Sequence, residues 1–103
     1  MSFEIDLLES AKAAFRTSFD ATLAILVEGR PTIVVDGHES PPSVTEEADF
    51  DPANAACTWR VEEETLSRVF DGERAFTSAF LSGRLEIDGD MAVMARLEME
   101  KIQ

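Results

Sequence analysis

Tyrosine is absent from this chain of 103 residues, and cysteine, tryptophan and histidine occur once each. Each scarcity excludes something. A single Cys57 rules out an internal disulfide and fits a reducing compartment. The lone His38 has no Cys or second His near it in sequence, so the chain offers no zinc-type ligand spacing and no histidine beside a nucleophile. Basic residues are also few, 9 Lys and Arg against 21 Asp and Glu, for a net charge of -12. That balance excludes a phosphate-backbone footprint, and with it nucleic acid. It equally excludes charge-driven docking on anionic lipid, so any membrane contact is expected to be transient and not electrostatic. Apolar runs fall short of the ~20 residues a membrane span needs. The first residues are acidic where a secretory signal would be basic and then apolar, and the last three do not form a peroxisomal tripeptide. The expectation is a single cytoplasmic domain over residues 1–103, with no catalytic residues, no metal and no cofactor.

What is present is apolar surface with few polar handles: seven Phe and four Met. Met adapts to irregular apolar shapes. Residues 2–19 read as a helix, with Ser2 as N-cap, acids in the first turn, and Leu8, Ala11, Phe15 and Phe19 along one stripe. Residues 21–27 and 32–35 are short β-rich runs joined by a turn at 28–31, which suggests a hairpin. Leu23, Ile25 and Val27 face one way and Thr22, Ala24 and Leu26 the other, a pattern of a strand covered on both sides. Residues 38–54 hold the loop signals and four acids, Glu46, Glu47, Asp49 and Asp51. A run of that length without regular structure is uncommon, so a short edge strand is expected near residues 43–45. The acids lack calcium-loop spacing and read as a solvated run.

Residues 55–61 return to strand, with Cys57, Trp59 and Val61 on one face. Acids at 62–64 open a helix whose apolar face is Leu66, Val69 and Phe70. A shorter helix follows over residues 75–81, with Phe76, Ala79 and Phe80 as its apolar face, and stops at Gly83. A strand is expected at 84–87, a turn at Asp88-Gly89, and a last helix capped by Asp90. Met91, Met94, Ala95 and Ile102 fall on one side of that helix, Val93 and Leu97 on another.

Residues 79–97 resemble the signature of the sterol carrier protein-2 family. The matching positions are Ala79-Phe80, Gly83-Arg84-Leu85, Ile87, Gly89-Asp90-Met91 and Arg96-Leu97. Arg84 stands where Lys is common, and Asp90 where Asn is common. The strong acidity also departs from many members. The resemblance implies an α+β domain: a five-stranded, largely antiparallel sheet with helices on one face and an apolar tunnel between the layers. It further implies non-catalytic binding, and use in transfer, of a fatty acid, fatty acyl-CoA or phospholipid. Sterol would be a family label in a bacterial-style, stand-alone relative. The candidate wall is Leu8, Phe15, Phe19, Phe80, Met91 and Met94, with Arg84 as partner for a carboxylate head. The plainer reading of the apolar residues is core packing, and of Arg84 a surface ion pair.

An empty tunnel would be costly. At ~24 cal/mol per Å³, the low end of pocket sizes, ~300 Å³, corresponds to roughly 7 kcal/mol, against ~5–15 kcal/mol for a whole domain. Either lipid stays bound, the last helix collapses inward, or the Phe and Met residues fill a core. The alternative function is a small acidic accessory protein whose apolar groove takes a protein partner, a partner the sequence does not name.

Overall fold

Alternation along β1 (Thr22–Val27) places Leu23, Ile25 and Val27 in the core and turns Thr22, Ala24 and Leu26 to the opposite face. The computed structural model describes residues 3–71 and 76–96, and in it β1 is the middle strand of a five-stranded sheet. Its partners are β2 (Thr32–Asp36), β3 (Ser43–Glu47), β4 (Cys57–Val61) and β5 (Leu85–Gly89), in the order β3-β2-β1-β4-β5. β1 and β4 run parallel; every other neighbouring pair is antiparallel. The expected edge strand is β3, two residues longer than anticipated. Both edge strands expose acids, Glu46 and Glu47 on β3 and Glu86 and Asp88 on β5, and charge on an edge discourages pairing with another chain.

Four helices of the described residues supply the second layer: α1 (Phe3–Ala14), α2 (Glu63–Asp71), α3 (Phe76–Leu81) and α4 (Met91–Arg96). Ala11 and Ala14 of α1, Leu66, Val69 and Phe70 of α2, Ala79 of α3 and Val93 of α4 join one core with Leu23, Ile25, Ile33, Val35, Trp59 and Leu85 of the sheet. The helices therefore cover one face. None of the described helices covers the other face of β1, where its apolar character suggested cover as well. Ala24 is nonetheless fully buried, because it is short and lies in register between Val34 and Thr58 on the adjacent strands.

α1 ends at Ala14, five residues before the expected Phe19. Phe15 N still bonds Ala11 O at 3.0 Å, and then the chain turns to other partners. The Gly37 carbonyl accepts from the Ser18 hydroxyl and from the backbone N–H groups of Phe19 and Asp20. Ser side chains compete with the helix in this way. Phe19 thus enters the core from a bend: its ring occupies the space in which a Cβ on Gly37 would stand, 2.6 Å from it.

The later junctions follow sequence chemistry closely. α3 closes with Arg84 N on Ala79 O and Gly83 N on Phe80 O, with Gly83 at φ 81. That paired arrangement satisfies the last carbonyls and needs the left-handed residue glycine supplies. β5 starts one residue later than expected and runs on to Gly89, at φ 105, where a Cβ would sit 2.6 Å from the Ala56 carbonyl oxygen. Asp90 N then bonds that same oxygen, and the Asp90 carboxylate caps α4 by accepting from Ala92 N at 2.9 Å. Ser2, the expected N-cap of the first helix, and Leu97 and Ile102, expected on the faces of the last, lie outside the described residues.

Gly29 and Gly89 both hold positive φ, but only Gly89 lacks room for a side chain. Gly29→Ala should cost about 1–2 kcal/mol of backbone strain. Gly89→Ala should add overlap worth about 1–3 kcal/mol. Urea unfolding should rank Gly89→Ala clearly below Gly29→Ala; coincident midpoints would contradict the close approach.

Candidate functional site

Trp59 is the centre of the layer between helices and sheet. It is fully buried on β4, with Ile25 and Ile87 in register on either side. Its ring lies 5.9 Å from Phe15 and 5.0 Å from Phe76. Phe15 passes the contact to Phe70, edge to face at 5.9 Å, and to Phe19 at 6.5 Å. The indole N–H donates to the Met94 sulfur at 3.3 Å. A weak thioether acceptor is thus the polar partner of a buried donor. This is an apolar interior whose described lining carries no charged side chain.

The candidate residues separate into three places. Phe15 and Phe19 are buried in this interior, and Leu8 and Met94 pack against it half-buried. Phe80 and Met91 face outward, 41% and 51% exposed. At about 100° per residue, Phe80 lies one step round α3 from the inward Ala79, and Met91 about 200° from the inward Val93. Val93 is therefore the anchor of α4. Arg84 is exposed and has no ion-pair partner among the described residues.

Arg84 instead lines a cleft of about 580 Å³ at the Val27 and Val61 ends of β1 and β4. Leu26, Thr32, Arg60 and Glu86, on the face of the sheet that no described helix covers, contribute to the same walls. Arg30 closes one side. Its guanidinium bonds Glu46 and lies 3.6 Å from Glu63, with a side chain only 2% exposed. Sequence reasoning missed this cleft, because Arg30, Arg60 and Arg84 are far apart along the chain. A cross-strand register was the signal needed.

Other polar candidates have structural duties. His38 is exposed, and its backbone N–H and Nδ1 both reach Asp36 Oδ1; these hydrogen bonds hold the Asp36 carboxyl below its usual range. Asp51 caps the 3-10 turn over Pro52–Asn54 by accepting from Ala53 N. Burial pushes the Cys57 thiol above its ordinary range, and the charges of Asp90 and Asp88 act the same way, against a lowering backbone hydrogen bond at Thr58. A buried thiol of this kind is a poor nucleophile. No cluster of the described residues has the composition of a metal site, and no described helix is long and apolar enough to cross a membrane.

Comparison with known proteins bears on the whole layer arrangement. The family model for the SCP-2 sterol transfer family matches residues 4–99. The chain is similar to sterol carrier protein 2 like 2 from Aedes aegypti, with a TM-score of 0.64 and 15% identity over 90% of this chain and 86% of that one. A structure of palmitated SCP2L2 from the same mosquito gives a TM-score of 0.58 and 16% identity, over 74% of this chain and 67% of that one. The sterol carrier protein domain 2 of Helicoverpa armigera gives 0.61 and 18%, over 87% of this chain; the match spans 66% of that domain. These likenesses show the shared fold. No curated protein sequence matches.

Met94→Leu keeps the apolar volume but removes the acceptor of the Trp59 N–H. The variant should lose about 1–3 kcal/mol, the cost of an orphaned buried donor, and shift the indole N–H proton resonance. An unmoved resonance would show that the thioether contact does not form in solution.

Proposed function

The chain belongs to the SCP-2 sterol transfer family, and from that premise we propose that it binds an acyl lipid without catalysis and serves its transfer. The ligand class is a fatty acid, fatty acyl-CoA or phospholipid. Its chain lies between the helices and the core face of the sheet. One observation carries the reading: the aromatic interior around Trp59 is covered by α4, whose described contacts with it include the fully buried Val93 and the bond from the Trp59 N–H to the Met94 sulfur. Met is flexible and adapts to irregular apolar shapes, so Met94 in this cover can re-pack around an acyl chain. An acyl chain gains ~0.8 kcal/mol for each methylene it buries. The palmitated state named for the Aedes protein, which shares the fold, supports the same ligand class.

In this reading Leu8, Phe15 and Phe19 form the fixed wall, because α1 and the Gly37 clamp hold them. Met94 is the movable wall. Phe80 and Met91, already partly in solvent, are the apolar surface past which a chain enters. Arg84 belongs to the cleft rather than to this interior. The accessory-protein reading draws on the same exposed surface, since Leu81 beside Phe80 is 76% exposed.

Mass spectrometry of an organic extract from purified protein should find a bound acyl lipid, or a fluorescent fatty acid should be taken up with saturation. Met94→Trp should weaken that uptake roughly tenfold relative to Met94→Leu, ~1.4 kcal/mol, because both variants lose the sulfur acceptor and only Trp fills the space an acyl chain would take. Protein free of lipid that also refuses the probe would sink the lipid reading and favour the protein-partner one.

A further inference from the structure

We propose that the cleft at the Val27 and Val61 ends of β1 and β4 is a second binding site, for a small zwitterion carrying a phosphate ester beside an amine. Four of its lining residues lie on the face that no described helix covers. Leu26, Thr32, Arg60 and Glu86 have the strand parity opposite to Ile25, Ile33 and Trp59. Val27 and Val61, which belong to the core, reach the cleft from the other parity, so it wraps the ends of the strands and adjoins the acyl interior there; the proposal does not rest on lipid binding in that interior.

The charges in the cleft are what a zwitterion requires. Arg60 and Arg84 are exposed, line the same cleft, and have no ion-pair partner among the described residues. Glu28, Glu62 and Glu86 line it too and are likewise without an ion pair. Register even sets Arg60 opposite Glu86, yet the two do not join. Donors and acceptors of opposite charge thus stand side by side. Arg30 takes a different role: engaged with Glu46 and Glu63, it braces the wall.

Ligand chemistry follows from this set. A simple anion would approach against the field of a chain of net charge -12. A neutral zwitterion would not. Each guanidinium presents a planar fork of donors that pairs bidentately with a carboxylate or a phosphate. Arg60 on β4 and Arg84 in the turn before β5 come to the cleft from different elements, so each fork can take one of the two non-bridging oxygens of a phosphate diester. An ammonium group, with three donors and no acceptor, suits the carboxylates. The volume of about 580 Å³ exceeds such a head and leaves room for an apolar remainder against Leu26, Val27 and Val61.

Isothermal titration with glycerophosphoethanolamine tests the site, using glycerol phosphate and ethanolamine as the separated halves. The zwitterion should bind saturably and at least tenfold more tightly than either half. Arg60→Gln and Arg84→Gln should each weaken it at least tenfold, with thermal midpoint and fluorescent fatty acid uptake unchanged. Vesicles displaying phosphatidylethanolamine distinguish the source. Capture on vesicles without binding of the soluble ester, if abolished in the double variant, assigns the head to a lipid; binding of the soluble ester assigns it to a free metabolite. Binding of either probe that survives both substitutions overturns the proposal. So does the absence of any saturable binding at millimolar concentration, or a loss of fatty acid uptake in step with zwitterion binding.

Discussion

The burial of Trp59 in the middle of β4 is the contact on which the helical layer depends. Its ring meets Phe15 after α1, Phe76 of α3 and Met94 of α4, and Phe15 relays the contact to Phe70 of α2. Elements that touch the sheet at different strands are thus tied at one side chain. Aromatic pairs at these separations contribute ~0.5–1.5 kcal/mol beyond the area they bury. The ring can sit there because β4 pairs parallel with β1, which sets Trp59 beside Ile25 at the centre of the core face. The same ring bears the polar atom whose satisfaction depends on α4. Stability and access to the interior therefore meet at one residue.

Backbone devices decide how the helices lie on that face. The Gly37 carbonyl gathers three donors and the Phe19 ring packs where a Cβ would be, which fixes the exit of α1. Gly83 reverses the chain into β5, and Gly89 and Asp90 reverse it again into α4 through the Ala56 carbonyl. Each reversal uses a residue whose conformation or side chain is suited to it. Over their described residues α3 and α4 each turn one side to the core, through Ala79 and Val93. That is why Phe80, Leu81 and Met91 remain in solvent.

The two faces of one sheet have separate chemistry. The helix side is aromatic and aliphatic, fit for an acyl chain, with one thioether contact as its polar feature. The other side carries threonines, small apolar residues and, at one end, a cleft where Arg60 and Arg84 stand beside Glu28, Glu62 and Glu86 with no ion pair between them among the described residues. Alternation by strand parity keeps them apart: each residue of β1 or β4 that serves one face leaves its neighbours to the other. A strongly acidic chain can in this way hold an uncharged interior and a locally mixed cleft at once.

Much of the architecture was legible from residues alone. The β-rich runs read at 21–27 and 55–61, which form strands over Thr22–Val27 and Cys57–Val61, the helix opened by the acids at 62–64, and the turns at Gly83 and Asp88-Gly89 all state local preferences that the fold obeys. The resemblance over residues 79–97 led to the sheet, its helical cover and the family. The end of α1 was not legible, since the stripe from Leu8 to Phe19 continues in helical period while Ser18 finds its acceptor on a residue nineteen positions away. Nor was the outward turn of Phe80 and Met91, because spacing defines a face but not which face meets the core. The sequence by itself determined the elements, the alternation of the strands and the acidic surface, because these depend on neighbours within a few residues. Tertiary structure alone decided that Trp59 joins the helices, that Val93 rather than Met91 anchors α4, and that Arg60 and Arg84 share a cleft. Those outcomes rest on cross-strand register and on distant backbone partners, which no local pattern encodes.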